Sequence, residues 1–130
     1  MASLHRGHRA LLAGVVMSGL LLATTAPVSA EVDKVRTGHC SGAATWRLEV
    51  DRDEGRLDVE LDILTTHAGK TWRVRMSQNG DRFYSSLRTT DHDGDIEVDR
   101  DRPDRAGTDT FAFRATQLSN GQVCRGSISF

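Results

Sequence analysis

The stretch that decides the fold is Arg56-Leu57-Asp58-Val59-Glu60-Leu61-Asp62-Ile63, in which charged and aliphatic side chains alternate at every position. Successive side chains of a β-strand point to opposite faces, so this pattern places one face of a strand on a core and the other in water. A slip of one residue would bury the charges, which fixes the register. We therefore predict a half-buried strand in an antiparallel sheet.

The same alternation recurs along the chain after Ala30, and no window there has apolar residues at helical spacing. Turn signals separate the alternating runs; Asn79-Gly80 and Asn120-Gly121 are typical of tight hairpins. Trp46 and Trp72 fall on the apolar parity of their strands, which favours core packing over exposed ligand platforms. Strands at this spacing indicate a β-sandwich or barrel. The predicted strands are 33–39, 44–52, 56–64, 70–77, 82–89, 94–100, 108–117 and 122–130.

Two details favour an antiparallel β-sandwich of seven to eight strands that resembles the immunoglobulin fold. Trp72 lies in the third of the seven main strands, where such folds often bury a tryptophan. Residues 104–111 resemble the corner before the sixth strand, with Asp109 at the position of the corner tyrosine and Phe111 at that of the cysteine. The resemblance covers residues 44–130. Because Phe111 replaces the cysteine, the usual inter-sheet disulfide of that family is ruled out.

Residues 1–30 have the three parts of a secretory signal peptide. Arg6 and Arg9 precede an apolar run over residues 10–23, and Val28-Ser29-Ala30 supplies the small residues of a cleavage site. The apolar run is shorter than the roughly 20 residues of a membrane-spanning helix. We predict cleavage after Ala30, secretion to the extracellular space, no membrane span and one β-sandwich domain over residues 31–130.

The chain contains two cysteines, Cys40 and Cys124. In a secreted protein an even cysteine count predicts a disulfide, and two cysteines allow one pairing. A Cys/His metal site would need more ligands, because the neighbouring His39 points to the opposite face of a strand. We therefore predict a Cys40–Cys124 disulfide, no metal and no cofactor.

The whole chain also resembles small secreted actinobacterial proteins of unassigned function. The likeness rests on the leader, on the preference for arginine over lysine, and on the matching contexts Gly38-His39-Cys40 and Cys124-Arg125-Gly126. It implies no activity.

The formal net charge is −1, and all acidic residues follow Ala30. An acidic domain of this kind is not a nucleic-acid binder by default. If strands 44–52, 56–64 and 94–100 share one sheet, parity places many carboxylates on its outer face. If strands 70–77, 108–117 and 122–130 share the other, its outer face displays the arginines Arg73, Arg75, Arg114 and Arg125.

Two interpretations of this charge segregation stay open. The faces are either simply solvated surfaces that also prevent edge-to-edge aggregation, or binding surfaces. In the second case the arginine sheet binds an anionic cell-envelope polymer or an extracellular protein. Phe83 and Tyr84 are adjacent, so strand parity turns one of them outward; with Phe83 and Leu87 inward, Tyr84 is the exposed aromatic. The predicted contact residues are Arg73, Arg75, Tyr84, Arg114 and Arg125.

The preferred function is therefore a monomeric, non-enzymatic binding module that acts outside a bacterial cell. The alternative is a small secreted inhibitor that inserts a rigid loop, Gln78–Arg82 or Asp91–Asp95, into the active site of an extracellular enzyme. No catalytic motif supports an enzyme. The acidic segment Asp91–Asp95 could bind calcium, but Asp and Gly are also the residues that a turn requires.

Overall fold

The computed structural model describes residues 19–26 and 33–130, and these contain strands but no helix. Every predicted strand is confirmed, and the main difference is that the sixth continues to Pro103 instead of ending at residue 100. Its apolar alternation stops earlier because arginines occupy the inward positions after Val98. The strands are β1 (Lys34–His39), β2 (Thr45–Asp53), β3 (Arg56–Leu64), β4 (Thr71–Gln78), β5 (Asp81–Thr89), β6 (Asp95–Pro103), β7 (Thr110–Gln117) and β8 (Val123–Ser129).

The strands form two antiparallel sheets packed as a β-sandwich. The first sheet has the order β1-β2-β3-β6 and the second has the order β5-β4-β7-β8. The predicted division of strands 44–52, 56–64 and 94–100 into one sheet and 70–77, 108–117 and 122–130 into the other is therefore confirmed. Because β5 and β6 are edge strands, as are β1 and β8, the sandwich has two open sides that side chains must close.

The core lies between the sheets and is built from the apolar half of each alternation. In β3 the aliphatic residues Leu57, Val59, Leu61 and Ile63 are fully buried, while the acidic residues between them are partly exposed. Trp46 and Trp72 are both buried, as their parity predicts. Inward-facing residues of both sheets form one apolar cluster.

The predicted signal peptide and its cleavage site after Ala30 lie outside the described residues, except for the segment 19–26. Among the residues that the structure describes, no helix has the length and apolar character needed to cross a membrane.

The prediction that Tyr84 is exposed is wrong. The Tyr84 side chain is only 8% exposed and faces the core, whereas Leu87 is 52% exposed on the outer face. A β-bulge causes this inversion: Tyr84 pairs with Met76 and Arg82 pairs with Ser77, which leaves Phe83 as an extra residue in β5. The bulge allows both adjacent aromatic side chains to pack inward, so parity counted through the bulge fails.

One open side, which we call the β1/β8 side, is closed by a covalent bond and by tight packing. Cys40 and Cys124 form the predicted disulfide, with a Cα–Cα distance of 4.2 Å. The indole of Trp46 lies against Gly38 and Gly126, where an added Cβ would come within 2.5 Å of the ring. Because Gly38 and Gly126 have no side chain, they leave the space in which the indole of Trp46 packs.

The opposite β5/β6 side is closed by arginines stacked on aromatic rings. The guanidinium carbon of Arg100 lies 4.6 Å from the centre of the Tyr84 ring, and that of Arg102 lies 4.4 Å from the centre of the Phe83 ring. Arg88 donates to the Tyr84 hydroxyl at 3.1 Å and to the carbonyl of Glu97 at 2.9 Å, which links β5 to β6. Long amphipathic side chains therefore replace apolar ones at this side.

A buried polar cluster fixes the end of the sandwich near the β4–β5 turn. Asp109 is 1% exposed; its Oδ1 accepts from Gln78 Nε2 at 2.8 Å and from Asn79 Nδ2 at 3.0 Å, and its Oδ2 accepts from the Arg105 amide at 3.0 Å. The amide of Asn79 in turn donates to the Thr110 carbonyl at 2.8 Å. The buried carboxylate is thus fully engaged in holding the β6–β7 connection to the hairpin.

Candidate binding surfaces

The outer face of the first sheet is acidic, as predicted. Carboxylates stand directly opposite one another on neighbouring strands, as Glu60 does to Glu49 and to Asp99. The outward acidic residues of β2, β3 and β6 are Glu49, Asp51, Asp53, Asp58, Glu60, Asp62, Asp95, Glu97, Asp99 and Asp101. We call this surface the acidic face.

Two arginines partly neutralise the acidic face. Arg47 forms an ion pair with Glu49 and lies 3.7 Å from carboxylate oxygens of both Glu60 and Asp62. Arg56 pairs with Asp101 at 2.5 Å. These contacts do not cancel the mutual repulsion, because acidic residues outnumber the arginines along every strand of this face except β1.

The crowding of carboxylates raises several pKa values. A hydrogen bond with Asp99, burial and repulsion from Asp99 raise the pKa of Asp58 to about 6. Burial, followed by the charge of neighbouring carboxylates, raises the pKa values of Glu60 and Asp62. The acidic face therefore binds protons more readily than isolated carboxylates do.

The outer face of the second sheet has the opposite charge. Arg75 on β4, Arg114 on β7 and Arg125 on β8 stand directly opposite one another in a single row across the sheet. Since neighbouring strands lie about 4.8 Å apart, the row extends over roughly 10 Å. Arg73 is one step further along β4, opposite Thr116. The structure thus brings four of the five predicted contact residues together.

The fifth predicted contact residue, Tyr84, is not on this face, but Arg82 is. The bulge at Phe83 turns Arg82 outward opposite Ser77. Two adjacent aromatics in a strand were the one sequence signal that could have indicated the bulge. We call the surface of Arg73, Arg75, Arg82, Arg114 and Arg125 the arginine face.

The arginine face is unneutralised by the described part of the chain. Its outward positions on β4, β5, β7 and β8 carry Ser, Thr, Ala, Val and Leu besides arginine, and within residues 33–130 no carboxylate oxygen lies within 4.0 Å of these five guanidinium groups. The guanidinium group has five hydrogen-bond donors that match carboxylate and phosphate groups, so a row of arginines without carboxylate partners leaves these donors available to an anionic ligand.

Two hollows indent the arginine face. One, of about 380 Å³, lies between Arg75, Arg82 and Arg114 and has Gly80 and Ala112 in its lining. The other, of about 390 Å³, is bounded by His39, Ser41, Arg114 and Arg125. Arg114 borders both, so the hollows adjoin along the arginine row.

A larger hollow of about 820 Å³ lies at the end of the sandwich where the β1–β2, β3–β4 and β7–β8 connections meet. We call it the loop-end bowl. Its lining is rich in hydroxyl and amide side chains, with His67 and Lys70 as the ionisable groups and no carboxylate among its residues. Sequence reasoning missed this site because its three loops are far apart in the chain.

The two loops proposed for an inhibitor have different structures. The segment Gln78–Arg82 is a two-residue hairpin turn at Asn79 and Gly80, both at positive φ, and Asn79 is tied to β7 rather than projecting freely. In Asp91–Asp95, Asp91 Oδ1 accepts from the amides of Asp93 and Asp95, each at 2.9 Å. These hydrogen bonds lower the pKa of the Asp91 carboxyl group. They also explain why the segment has acidic residues, because an Asp side chain that accepts from nearby backbone amides stabilises a turn.

Comparison with known proteins finds no matching family model, no matching curated protein and no matching solved structure.

Proposed function

We propose that this domain is a non-enzymatic binding module whose arginine face holds an anionic polymer outside the cell. The observation that carries the proposal is the row Arg75–Arg114–Arg125, which crosses the sheet without a carboxylate partner among the described residues. Like charges directly opposite on paired strands destabilise a sheet, so the row has a cost that a bound anion would remove.

A polymer fits this surface better than a small anion does. The arginines lie on the outer face of a sheet, and the hollows beside them are open and adjoin at Arg114, so a ligand must contact several guanidinium groups at once to gain much affinity. Multivalent attachment of this kind multiplies weak contacts. The acidic face on the opposite side of the domain repels an anionic polymer, so the polymer binds through the arginine face.

Secretion and the immunoglobulin-like arrangement belong to the same proposal. The disulfide is a bond of oxidising compartments, which agrees with the predicted export through a leader cleaved after Ala30. If β2 to β8 are taken as strands A, B, C, C′, E, F and G, the order β2-β3-β6 facing β5-β4-β7-β8 supports an immunoglobulin-like topology with β1 added at one edge. The hydrogen bond of Asp109 to the Arg105 amide supports a corner at the predicted place.

The test is binding of the purified protein to polyphosphate and to polygalacturonate over a range of salt concentrations. We expect the double variant Arg75→Glu/Arg114→Glu to lower affinity for both polymers by at least about tenfold, and to reduce the salt dependence. The matched control is the double variant Arg47→Glu/Arg56→Glu, which makes the same charge change on the acidic face. Equal affinities of the two variants for the polymers, or binding that does not depend on salt, would overturn the proposal. Binding to a basic protein in place of the polymers would identify the acidic face as the binding surface and would also overturn it.

A further inference from the structure

We infer that the loop-end bowl and the arginine face form one continuous binding track, and that its ligand is an acidic polysaccharide whose sugar units enter the bowl. The inference rests on the proposed function, because the arginine row is the second half of the track.

Continuity of the three hollows follows from the residues that they share. Ser41 borders both the loop-end bowl and the hollow beside Arg125. Arg114 borders that hollow and the one beside Arg75 and Arg82. A chain seated in the bowl therefore leaves it past Ser41 and meets the arginines in sequence.

Hydrogen bonds hold the walls of the bowl in place before any ligand binds. Gln122 Oε1 accepts from the Ala44 amide at 2.9 Å, and Gln117 Nε2 donates to Ser119 Oγ at 3.0 Å. Ser41 Oγ accepts from the Val123 amide at 2.9 Å, which joins the first loop to β8. Gly42 approaches Gln122 so closely that an added Cβ would lie 2.7 Å from its side chain.

The third wall is anchored in the same way. Thr65 Oγ1 donates to the Gly94 carbonyl at 2.7 Å, and Thr90 Oγ1 donates to the His67 carbonyl at 2.7 Å. Side-chain hydrogen bonds thus hold all three connections to neighbouring strands or to other connections. A preformed hollow loses little conformational entropy on binding.

The chemistry of the lining selects a sugar. Hydroxyl and amide groups both donate and accept, which matches the hydroxyls of a sugar ring, whereas a bare phosphate chain offers acceptors only. Thr45, Thr66 and Asn120 supply such groups, and Lys70 supplies an ammonium for a carboxylate. The absence of carboxylates from the lining avoids repulsion of an acidic sugar. A planar membrane surface would cover the arginine face but could not fill a concave end.

The test compares two probes of equal charge: oligogalacturonate long enough to span the track, and polyphosphate. We expect Lys70→Gln to lower affinity for oligogalacturonate by about tenfold and to leave polyphosphate affinity unchanged. The matched control is Lys34→Gln on β1, which removes the same charge far from the bowl. Lys70 is exposed; its backbone amide donates to Thr90 Oγ1 and its carbonyl accepts from the Thr90 amide, each at 2.9 Å. Because the substitution leaves these backbone bonds in place, the variant retains the fold, which a melting curve verifies.

Each further outcome separates the two proposals. An equal loss for both probes in Lys70→Gln, or no loss for either, overturns the polysaccharide inference and leaves the arginine face standing. Equal affinity for a neutral oligosaccharide of the same length also overturns it. If Arg114→Glu leaves binding of both probes unchanged, the proposed function itself fails. If anionic vesicles compete fully with oligogalacturonate, the arginine face alone accounts for binding. That result would overturn the inference that sugar units enter the loop-end bowl.

Discussion

The two open sides of the sandwich are closed in opposite ways. On the β1/β8 side, a disulfide and the indole of Trp46, seated between Gly38 and Gly126, leave no spare space. On the β5/β6 side, Arg100 and Arg102 cover the aromatic pair of the bulge. The first closure depends on close fit. The second depends on long side chains whose charged ends stay in water, so it tolerates movement.

The charges sharpen this difference. At the β3–β6 pairing, Asp58 faces Asp101, Glu60 faces Asp99 and Asp62 faces Glu97. At the β1–β2 pairing, the outward positions join Val35 to Glu49 and Thr37 to Arg47. Like charges opposite one another weaken a strand pair. We therefore expect amide hydrogens of β6 to exchange faster than those of β1.

Removing the disulfide should have the largest effect. The bond closes a loop with a sequence separation of 84 residues, and its loss by Cys40→Ser/Cys124→Ser should lower the free energy of unfolding by about 4–5 kcal/mol in the chain-entropy model. Urea denaturation of the oxidised protein and the variant measures it. A loss below about 1 kcal/mol would mean that the tryptophan packing closes this side unaided.

Filling the space beside Trp46 should have the next largest effect. Gly126→Ala places a methyl group 2.5 Å from the buried indole, so we expect a destabilisation of about 1–3 kcal/mol. The control is Ser127→Ala, the adjacent outward position, which should change stability by less than about 0.5 kcal/mol. A second change, Trp46→Phe, should recover part of the loss; independent effects of the two changes would refute direct contact.

Opening the β5/β6 side should cost less. Arg100→Ala removes a guanidinium from the face of Tyr84, and a partly exposed cation–π contact contributes about 0.5–1 kcal/mol. Urea denaturation of Arg100→Ala and of the native protein measures this difference in the free energy of unfolding. Arg125→Ala, on the arginine face, is the control. A loss for Arg100→Ala no larger than that for the control would show that this arginine does not stabilise the ring.

The smallest effect concerns protonation of the acidic face. The folded state holds the pKa of Asp58 at about 6, above its ordinary value of 3.8, so the folded protein binds the proton more tightly than the unfolded chain. The resulting penalty is fully present above pH 6 and disappears as the pH falls through the interval from 6 to 3.8. We expect Asp58→Asn to stabilise the protein at pH 7 by a few tenths of a kcal/mol.

Thermal melting at pH 7 and pH 5 measures this effect. The stabilisation by Asp58→Asn should shrink at pH 5, where the native carboxyl is largely protonated. Asp53→Asn, at the exposed end of β2, is the control for the loss of one negative charge from the acidic face. A melting temperature of Asp58→Asn below that of the native protein at pH 7 would mean that the ionised carboxylate stabilises β6.

The sequence predicts the sheets because strand alternation is a local property. In residues 56–63 the alternation of the segment alone predicts which face of the sheet each side chain lies on. The same holds for Arg73, Arg75 and Arg114. The inversion at Tyr84 could not be read this way, because the bulge depends on pairing between β4 and β5. The length of β6 was underestimated for a related reason: its inward arginines are stabilised by rings from another sheet.

The loop-end bowl lay beyond sequence reasoning for a geometric reason. Its hydrogen bond between Ala44 and Gln122 joins residues 78 positions apart, and neither residue type indicates a partner. The proposed binding of polymer, the absence of enzymatic activity and export of the chain stay predictions.

The position of the disulfide has a consequence for control. Cys40 immediately precedes Ser41 of the bowl, and Cys124 immediately precedes Arg125 of the arginine row, so one covalent bond sets the spacing between the two halves of the track. Reduction would leave noncovalent contacts, such as the hydrogen bonds between Ser41 and Val123, to hold the two halves together. We expect a thiol reductant to act as an off-switch for long ligands and to spare short ones, which ties the capture of polymer to the redox state of the surroundings.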